Sequence, residues 1–281
     1  MSARRIRRRV ASGVMTGLVG ILSLVAVLAL VLILGDLMAK GASSLDWSFF
    51  TKNPVPAGET GGGVANAIVG TGIIVALAAL VGLPVGIGAG LYLAEYGSGR
   101  LGWLVRFVAD VLNGTPSIVI GIFAWTWLVK PMGHFSALAA GVALAVLMVP
   151  MIARTTEEMV RLVPHSLREA ALALGYPHWR TSLRIVARTA LSGIVTGCLV
   201  AVARIAGETA PLLFTALGNL NFSTSITQPM QTLSLQIYVY ATGPFDEWHR
   251  LAWAAALVLM ALVLVLSLLA RWATRQRYGA R

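Results

Sequence analysis

Charge is scarce in this chain. Only 12% of its 281 residues are charged, and only 11 of those are acidic, whereas an ordinary soluble domain is about a quarter charged. So few charges cannot coat a water-soluble globule. Cysteine is reduced to Cys198 alone, which excludes an intrachain disulfide and a cysteine-built zinc or iron–sulfur centre. Lysine is nearly missing as well: Lys40, Lys52 and Lys130 follow Ala39, Thr51 and Val129, so no lysine follows a glycine. A phosphate-cradling P-loop needs that Gly-Lys pair. If ATP drives anything here, it is hydrolysed on another chain, and this chain is expected to bind no cofactor of its own. Neither His-Glu-x-x-His nor Gly-x-Ser-x-Gly occurs, and His134, His165, His178 and His249 fall in loops or at helix ends. Membrane proteolysis and an intramembrane metal site therefore lack their chemistry.

Apolar surface is what the chain has in excess. It is 57% hydrophobic with a mean hydropathy of +0.80 and a net charge of +11. On a soluble protein that charge would point to nucleic acid, but here the arginines lie outside the apolar runs. Arginine kept on the cytoplasmic face fixes topology and meets anionic lipid, so lipid is the expected partner and nucleic acid is not. A spanning helix takes about 20 apolar residues, and six runs qualify: Val14–Leu37, Val64–Leu93, Leu104–Val129, Phe135–Ile152, Thr189–Leu213 and Trp253–Ala270. The expected fold is all-α, a polytopic membrane protein with six transmembrane helices and a cytoplasmic coupling loop.

Its organisation follows from the charges. Residues 1–13 carry Arg4, Arg5, Arg7, Arg8 and Arg9 before a run too long for a signal peptide, so 14–37 reads as an uncleaved anchor. Residues 64–270 make the main transmembrane domain, and 271–281 form a basic tail with Arg271, Arg275, Arg277 and Arg281. With both termini in the cytoplasm, only Lys40, Lys52, Lys130 and Arg250 fall outside and Arg204 lies within a span. That asymmetry sets the orientation in the inner membrane. Tryptophans 103, 125, 127, 248, 253 and 272 fall near the span ends, as an aromatic belt does. The outer segment 214–251 is unusually polar, and its stretch 230–240 reads equally as a re-entrant or a surface helix.

The cytoplasmic segment 154–188 is the longest hydrophilic stretch. Pro164, the helix formers of Ser166–Leu174, Gly175 as a C-terminal cap and Pro177 predict two short helices meeting at a glycine turn. Small side chains at Ala170 and Ala171 let another surface approach the resulting knob, with Arg168 and Glu169 at its rim. An amphipathic connector lying on lipid headgroups would look the same by composition.

Glu169-Ala170-Ala171, three residues, Gly175, nine residues and Ile185 resemble the EAA motif of ABC importer permeases, which ends in a proline where this chain has Arg188. Four other runs resemble the PstA permeases of phosphate importers: Gly63 to Thr71, Pro84 to Tyr96, Pro116 to Gly121, and Arg204 to Phe214. The resemblance implies a permease that moves inorganic phosphate inward. Its implied partners are a homologous PstC-like permease, a PstB-like dimer of ATP-binding subunits and an outer PstS-like phosphate-binding protein. It also implies that Arg168, Glu169, Ala170, Ala171 and Gly175 couple to the ATPase. A permease for sulfate or molybdate, or a membrane signalling subunit reporting phosphate status, are the alternatives.

Arg204 and Glu208 are the most informative side chains. A charge in hydrocarbon costs at least about 2.5 kcal/mol, so an intramembrane ionisable residue is a functional candidate. Four positions apart they are expected to share a helix face and pair, on one stripe with Gly193 and Gly197, where small residues admit another helix. Arg204 lies roughly 20 Å up from Thr189 at about 1.5 Å per residue, in the outer half. Guanidinium suits phosphate oxygens, so Arg204, Glu208 and Thr209 are the substrate-pathway candidates; a salt bridge that merely locks helix register is the plainer reading. Asn113, Thr115 and Ser117 interrupt the third span and are possible pathway lining, with Thr115 as a cap and first turn that exposes N–H groups to an anion; a kink, or a surface helix that enters the membrane only at Pro116, is the plainer reading of the same interruption. Gly82, Gly86 and Gly90 form a small-residue ladder for helix packing.

Overall fold

A computed structural model describes residues 3–56, 59 and 61–278. Arg281 of the basic tail lies outside the described residues, as do the side chains of Arg4, Arg5, Arg8, Arg9, Arg275 and Arg277. Helices make the frame, and no named strand occurs among the described residues. Helix α1 (Ala3–Gly41) exposes valine and leucine along its length, as a helix facing lipid does. It joins the bundle near its outer end, where Leu37 is buried and Lys40 Nζ stands 4.6 Å from the centre of the Trp253 ring. The short α2 (Trp47–Thr51) is capped by Asp46, whose carboxylate accepts from Phe49 N at 2.7 Å and from Ser48 Oγ. Those bonds hold the Asp46 carboxyl below its ordinary pKa.

Helix α3 (Ala65–Glu95) is the second span, within two residues of the expected ends. The third departs from expectation. Instead of one span over 104–129, α4 (Arg100–Gly114) turns by 104° into α5 (Ser117–Ala124), which continues through a widened turn at Trp125–Val129 into α6 (Lys130–Met132). Pro116 cannot carry a helix across this point, and α4 has two faces. Leu101, Trp103, Leu104, Phe107 and Val111 are exposed on one, while Arg106 and Asp110 pair with Glu157 and Arg154 of the fourth span. Such a helix suits the membrane interface better than its core.

Helix α7 (Ala137–Arg161) is the fourth span, and it runs well beyond Ile152. Arg154, Glu157 and Arg161 are helical rather than loop: Glu157 accepts from Arg106 Nε at 2.7 Å and Arg161 Nη2 at 2.6 Å, and Arg154 Nε donates to Asp110 at 3.0 Å. Their polar face continues the helix past the apolar run. The connection between the fourth and fifth spans is correspondingly shorter than 154–188. It holds α8 (His165–Ala173) and α9 (His178–Arg180), the latter passing through a wide turn at Thr181–Val186 into α10 (Ala187–Ala206). The position of Arg188 is thus interior to a continuous stretch, His178–Ala206, long and apolar enough to span.

The fifth span also ends earlier than Leu213. Gly207 closes α10, and α11 (Ala210–Thr215) starts afresh with Pro211 in its first turn. The stretch 230–240 is not a surface helix: α12 (Leu233–Thr242) buries Leu233 and Tyr240 with the last span, α13 (Asp246–Tyr278), and Leu235 in the core around α3 and α7. Its first turn is fastened to α3, where Thr71 Oγ1 accepts from Leu233 N at 2.9 Å. Among the described residues, five helices are long and apolar enough to span, or six with the bent pair taken as one.

The core is the seam between α3 and α7. A Cβ on Gly82 would lie 2.7 Å from Met148 Sδ, one on Gly86 2.7 Å from Ile152 Cβ, and one on Gly90 2.5 Å from Ala153 O. The glycine ladder is what lets these two helices touch along their length. In lipid, where there is no hydrophobic drive between helices, such close contact supplies the association.

Candidate functional site: a polar cavity at the break after α10

The breaks after Gly114 and Gly207 meet. Together with α7 they enclose a cavity of about 200 Å³ lined by Asn113, Thr115 and Ser117 from the α4–α5 bend, Met151 from α7, and Arg204 and Glu208 from the end of α10. That is smaller than the pockets that hold drug-sized ligands, and it fits a small ion. Five of the six site residues expected in or near the membrane are therefore neighbours, although two of the three segments are remote in sequence. Thr209 is not among the residues lining the cavity. It sits at the N-cap of α11, and its carbonyl accepts from Leu212 N at 3.1 Å.

Arg204 and Glu208 do not pair. The helix that would set them one turn apart ends at Ala206, Glu208 N donates to Ile205 O at 3.1 Å, and among the described residues no ion pair joins the two. Gly207 and the prolyl turn behind it break the periodicity that the pairing needed. Arg204 instead donates from Nη1 to Met151 Sδ at 3.6 Å. A thioether is a weak acceptor and guanidinium carries five donors, so most of its bonding capacity faces the cavity or the open side of the chain. Helix α12 secures the break: Ser234 Oγ donates to Glu208 O at 2.8 Å. This serine was not foreseen, because nothing in the sequence tells where segment 230–240 lies.

Thr115 caps in the other direction from that expected. It closes α4, its Oγ1 donating to Val111 O at 2.7 Å, while Pro116 occupies the N-cap of α5 with no side-chain cap bond. Toward the start of α10, a second cavity of about 430 Å³ opens between α7 and α10, lined by Met151, Thr155, Thr196, Gly193 and Gly197 among others. The two glycines admit α7 of the same chain: a Cβ on Gly193 would stand 2.4 Å from Met159 Sδ, and one on Gly197 2.3 Å from Thr155 Cγ2. Met151 borders both cavities.

At the end of the bundle where α7 stops and α10 begins, α8 stands out as a knob. Glu169 and Ala170 are exposed, Ala171 is buried at 3%, and Leu174 is 79% exposed. Gly175 has φ +82°, its N–H donates to Leu172 O at 2.9 Å and that of Tyr176 to Ala171 O at 3.2 Å. This is the paired closure that wants glycine at the left-handed position, as the sequence indicated. Arg168 is not at the rim. Its guanidinium turns inward, donating to Glu95 Oε1 at 2.9 Å and to the Val163 and Val160 carbonyls at 2.6 and 2.9 Å.

Comparison with known proteins agrees with this architecture. Residues 86–277 match the family described as binding-protein-dependent transport system inner membrane component. The phosphate transport system permease protein PstA of Yersinia pestis is 49% identical over 86% of this chain and 82% of its own length. That of Haemophilus influenzae is 44% identical over 94% of both. A chain of a bacterial alginate ABC transporter, solved with its alginate-bound periplasmic protein, superposes with a TM-score of 0.65 over 94% of this chain and 96% of its own, at 15% identity. The fold is therefore that of an ABC importer permease, a multi-pass protein of the inner membrane. By the extent of its match to both relatives, this chain belongs to the PstA family of permeases, within the binding-protein-dependent inner membrane components.

Proposed function

We propose that this chain is a permease subunit of an ATP-driven importer that carries inorganic phosphate into the cell. The observation that supports this most is the cavity in which Arg204 stands without a carboxylate partner beside Glu208, Asn113 and Ser117. An unpaired guanidinium in a spanning segment is costly unless something in its working cycle meets it, and a tetrahedral oxyanion offers the planar fork its matching oxygens. Glu208, on the same wall, repels a second anion and limits occupancy. Arg204 is exposed on the isolated chain, so this wall completes a path with a second, homologous permease. The way inward is the groove between α7 and α10.

ATP hydrolysis belongs to partner subunits that dock on α8 through Glu169, Ala170 and the apolar tip at Leu174. An outer phosphate-binding protein delivers the ion at the opposite face, and both termini lie in the cytoplasm. The test is ATP-dependent uptake of radiolabelled phosphate into proteoliposomes holding the chain with its co-purified partners. Uptake that excess sulfate leaves untouched is expected. Uptake of sulfate in its place would overturn the substrate, and no ATP-dependent uptake of either would overturn the transport reading.

A further inference from the structure

A glutamate in the last turn of a helix is at the wrong end, because the exposed carbonyls there already carry partial negative charge. Glu95 is the final residue of α3, and its carboxylate is nevertheless almost wholly enclosed, with 11% of the side chain exposed. Its surroundings supply the reason. Oε1 accepts from Arg168 Nε at 3.1 Å and Nη2 at 2.9 Å, and Oε2 accepts from Ser182 Oγ at 2.9 Å. Arg168 belongs to α8 and Ser182 to the wide turn that leads into α10. The remaining donors of Arg168 close the end of α7, at the Val160 and Val163 carbonyls. One carboxylate and one guanidinium thus tie the cytoplasmic ends of two spans, the coupling knob and the start of a third span into a single knot. Ser182 is held from behind, since its hydroxyl also lies 3.0 Å from His178 O.

We propose that Glu95 is the positioning residue that makes α8 and the membrane helices move as one body when the ATPase pulls on the knob. This rests on the reading of α8 as the ATPase-docking element, and it adds the route by which displacement reaches the pathway. From Glu95 the motion enters α3, which is locked to α7 by the glycine ladder, and α7 carries Met151 to Arg204. Through Ser182 it enters α10, which ends at Arg204 itself. Glu95 touches neither the cavity at Arg204 nor the exposed face of α8, so it acts through other groups. Replacing it leaves docking surface and pathway chemically intact while loosening the connection between them.

The experiment uses the whole complex in proteoliposomes and reads two rates together, phosphate taken up and ATP hydrolysed. Glu95→Gln keeps the shape and removes the charge that Arg168 answers. Ser182→Ala removes one bond from the other side and leaves the buried ion pair in place, so it keeps the proposal testable if Glu95→Gln fails to assemble. For Glu95→Gln the expected result is ATPase co-purification and ATP hydrolysis as in the unaltered complex, with phosphate moved per ATP falling about tenfold, a coupling loss of ordinary size. Ser182→Ala is expected to lower the same ratio in the same direction. An unchanged ratio in assembled Glu95→Gln complex, or in Ser182→Ala where the first does not assemble, overturns the role of Glu95. Absence of ATP-dependent uptake in the unaltered complex overturns instead the transport reading on which it rests.

Discussion

Gly121 of α5 and Pro211 of α11 touch backbone to backbone: a Cβ on Gly121 would lie 2.6 Å from Pro211 Cα. This contact holds the α4–α5 bend against the break after α10, and so brings Asn113, Thr115 and Ser117 to Arg204. Gly121→Val has no room and pushes α5 away. Overpacking of this kind costs about 1 to 3 kcal/mol, which a membrane bundle can absorb by separating the two helices. The expected outcome is a folded, assembled complex with phosphate uptake largely lost. Unaltered uptake in the valine variant would show that the two breaks need not stay joined.

Arg204→Gln removes the charge and keeps a donor of similar reach. Uptake is expected to fall to background while co-purification of the other subunits is unchanged, because among the described residues the Arg204 side chain bonds only to Met151. Arg204→Lys is expected to recover a fraction only, since ammonium cannot present the guanidinium fork. Full uptake by Arg204→Gln would remove Arg204 from the path and favour a structural role for it.

The second span, the glycine seam and the α8 knob were legible because each is a local pattern. Apolar length names α3, the spacing of Gly82, Gly86 and Gly90 names its packing face, and Gly175 names the end of α8. The site was legible as residue types but not as an arrangement. Arg204 and Glu208 were expected to pair because periodicity was carried through Gly207, where the helix stops. A surface helix ending at Pro116 was one reading of the interrupted third run, but the roles of Arg106 and Asp110 make sense only once Glu157 and Arg154 are seen beside them. Glu95 and Arg168 are 73 positions apart, and no spacing rule connects residues at that distance.

Glu169 is exposed on α8 beside the exposed Ala170, while its neighbour Arg168 is used inside the fold. Charge reversal at Glu169 therefore alters the docking face without disturbing the knob. Glu169→Lys is expected to abolish ATPase co-purification or to separate ATP hydrolysis from uptake, with helix content unchanged by circular dichroism. Ala171→Leu, by contrast, drives a larger side chain into a position 3% exposed and is expected to lower the amount of folded protein. If Glu169→Lys bound and transported like the unaltered protein, the face of α8 that meets the ATPase would have to be sought elsewhere.

Glu157 separates buried from exposed electrostatics within one residue. Its side chain is 4% exposed and accepts from Arg106, itself 24% exposed, and from Arg161, which is 57% exposed. The bond to Arg106 clamps α4 on α7, and its loss leaves the guanidinium with only the Gly97 and Leu93 carbonyls and no carboxylate. Breaking such a pair from one side costs about 3 kcal/mol, the lower end for buried pairs. The exposed arm contributes about 0 to 1 kcal/mol. Glu157→Gln is therefore expected to lower the melting temperature of the purified complex clearly, and Arg161→Gln hardly at all. Glu157→Gln should also free α4, which limited proteolysis reads as new cleavage near Arg100 and Arg106. Equal melting shifts for the two variants would mean that the α4 clamp adds nothing beyond a surface ion pair.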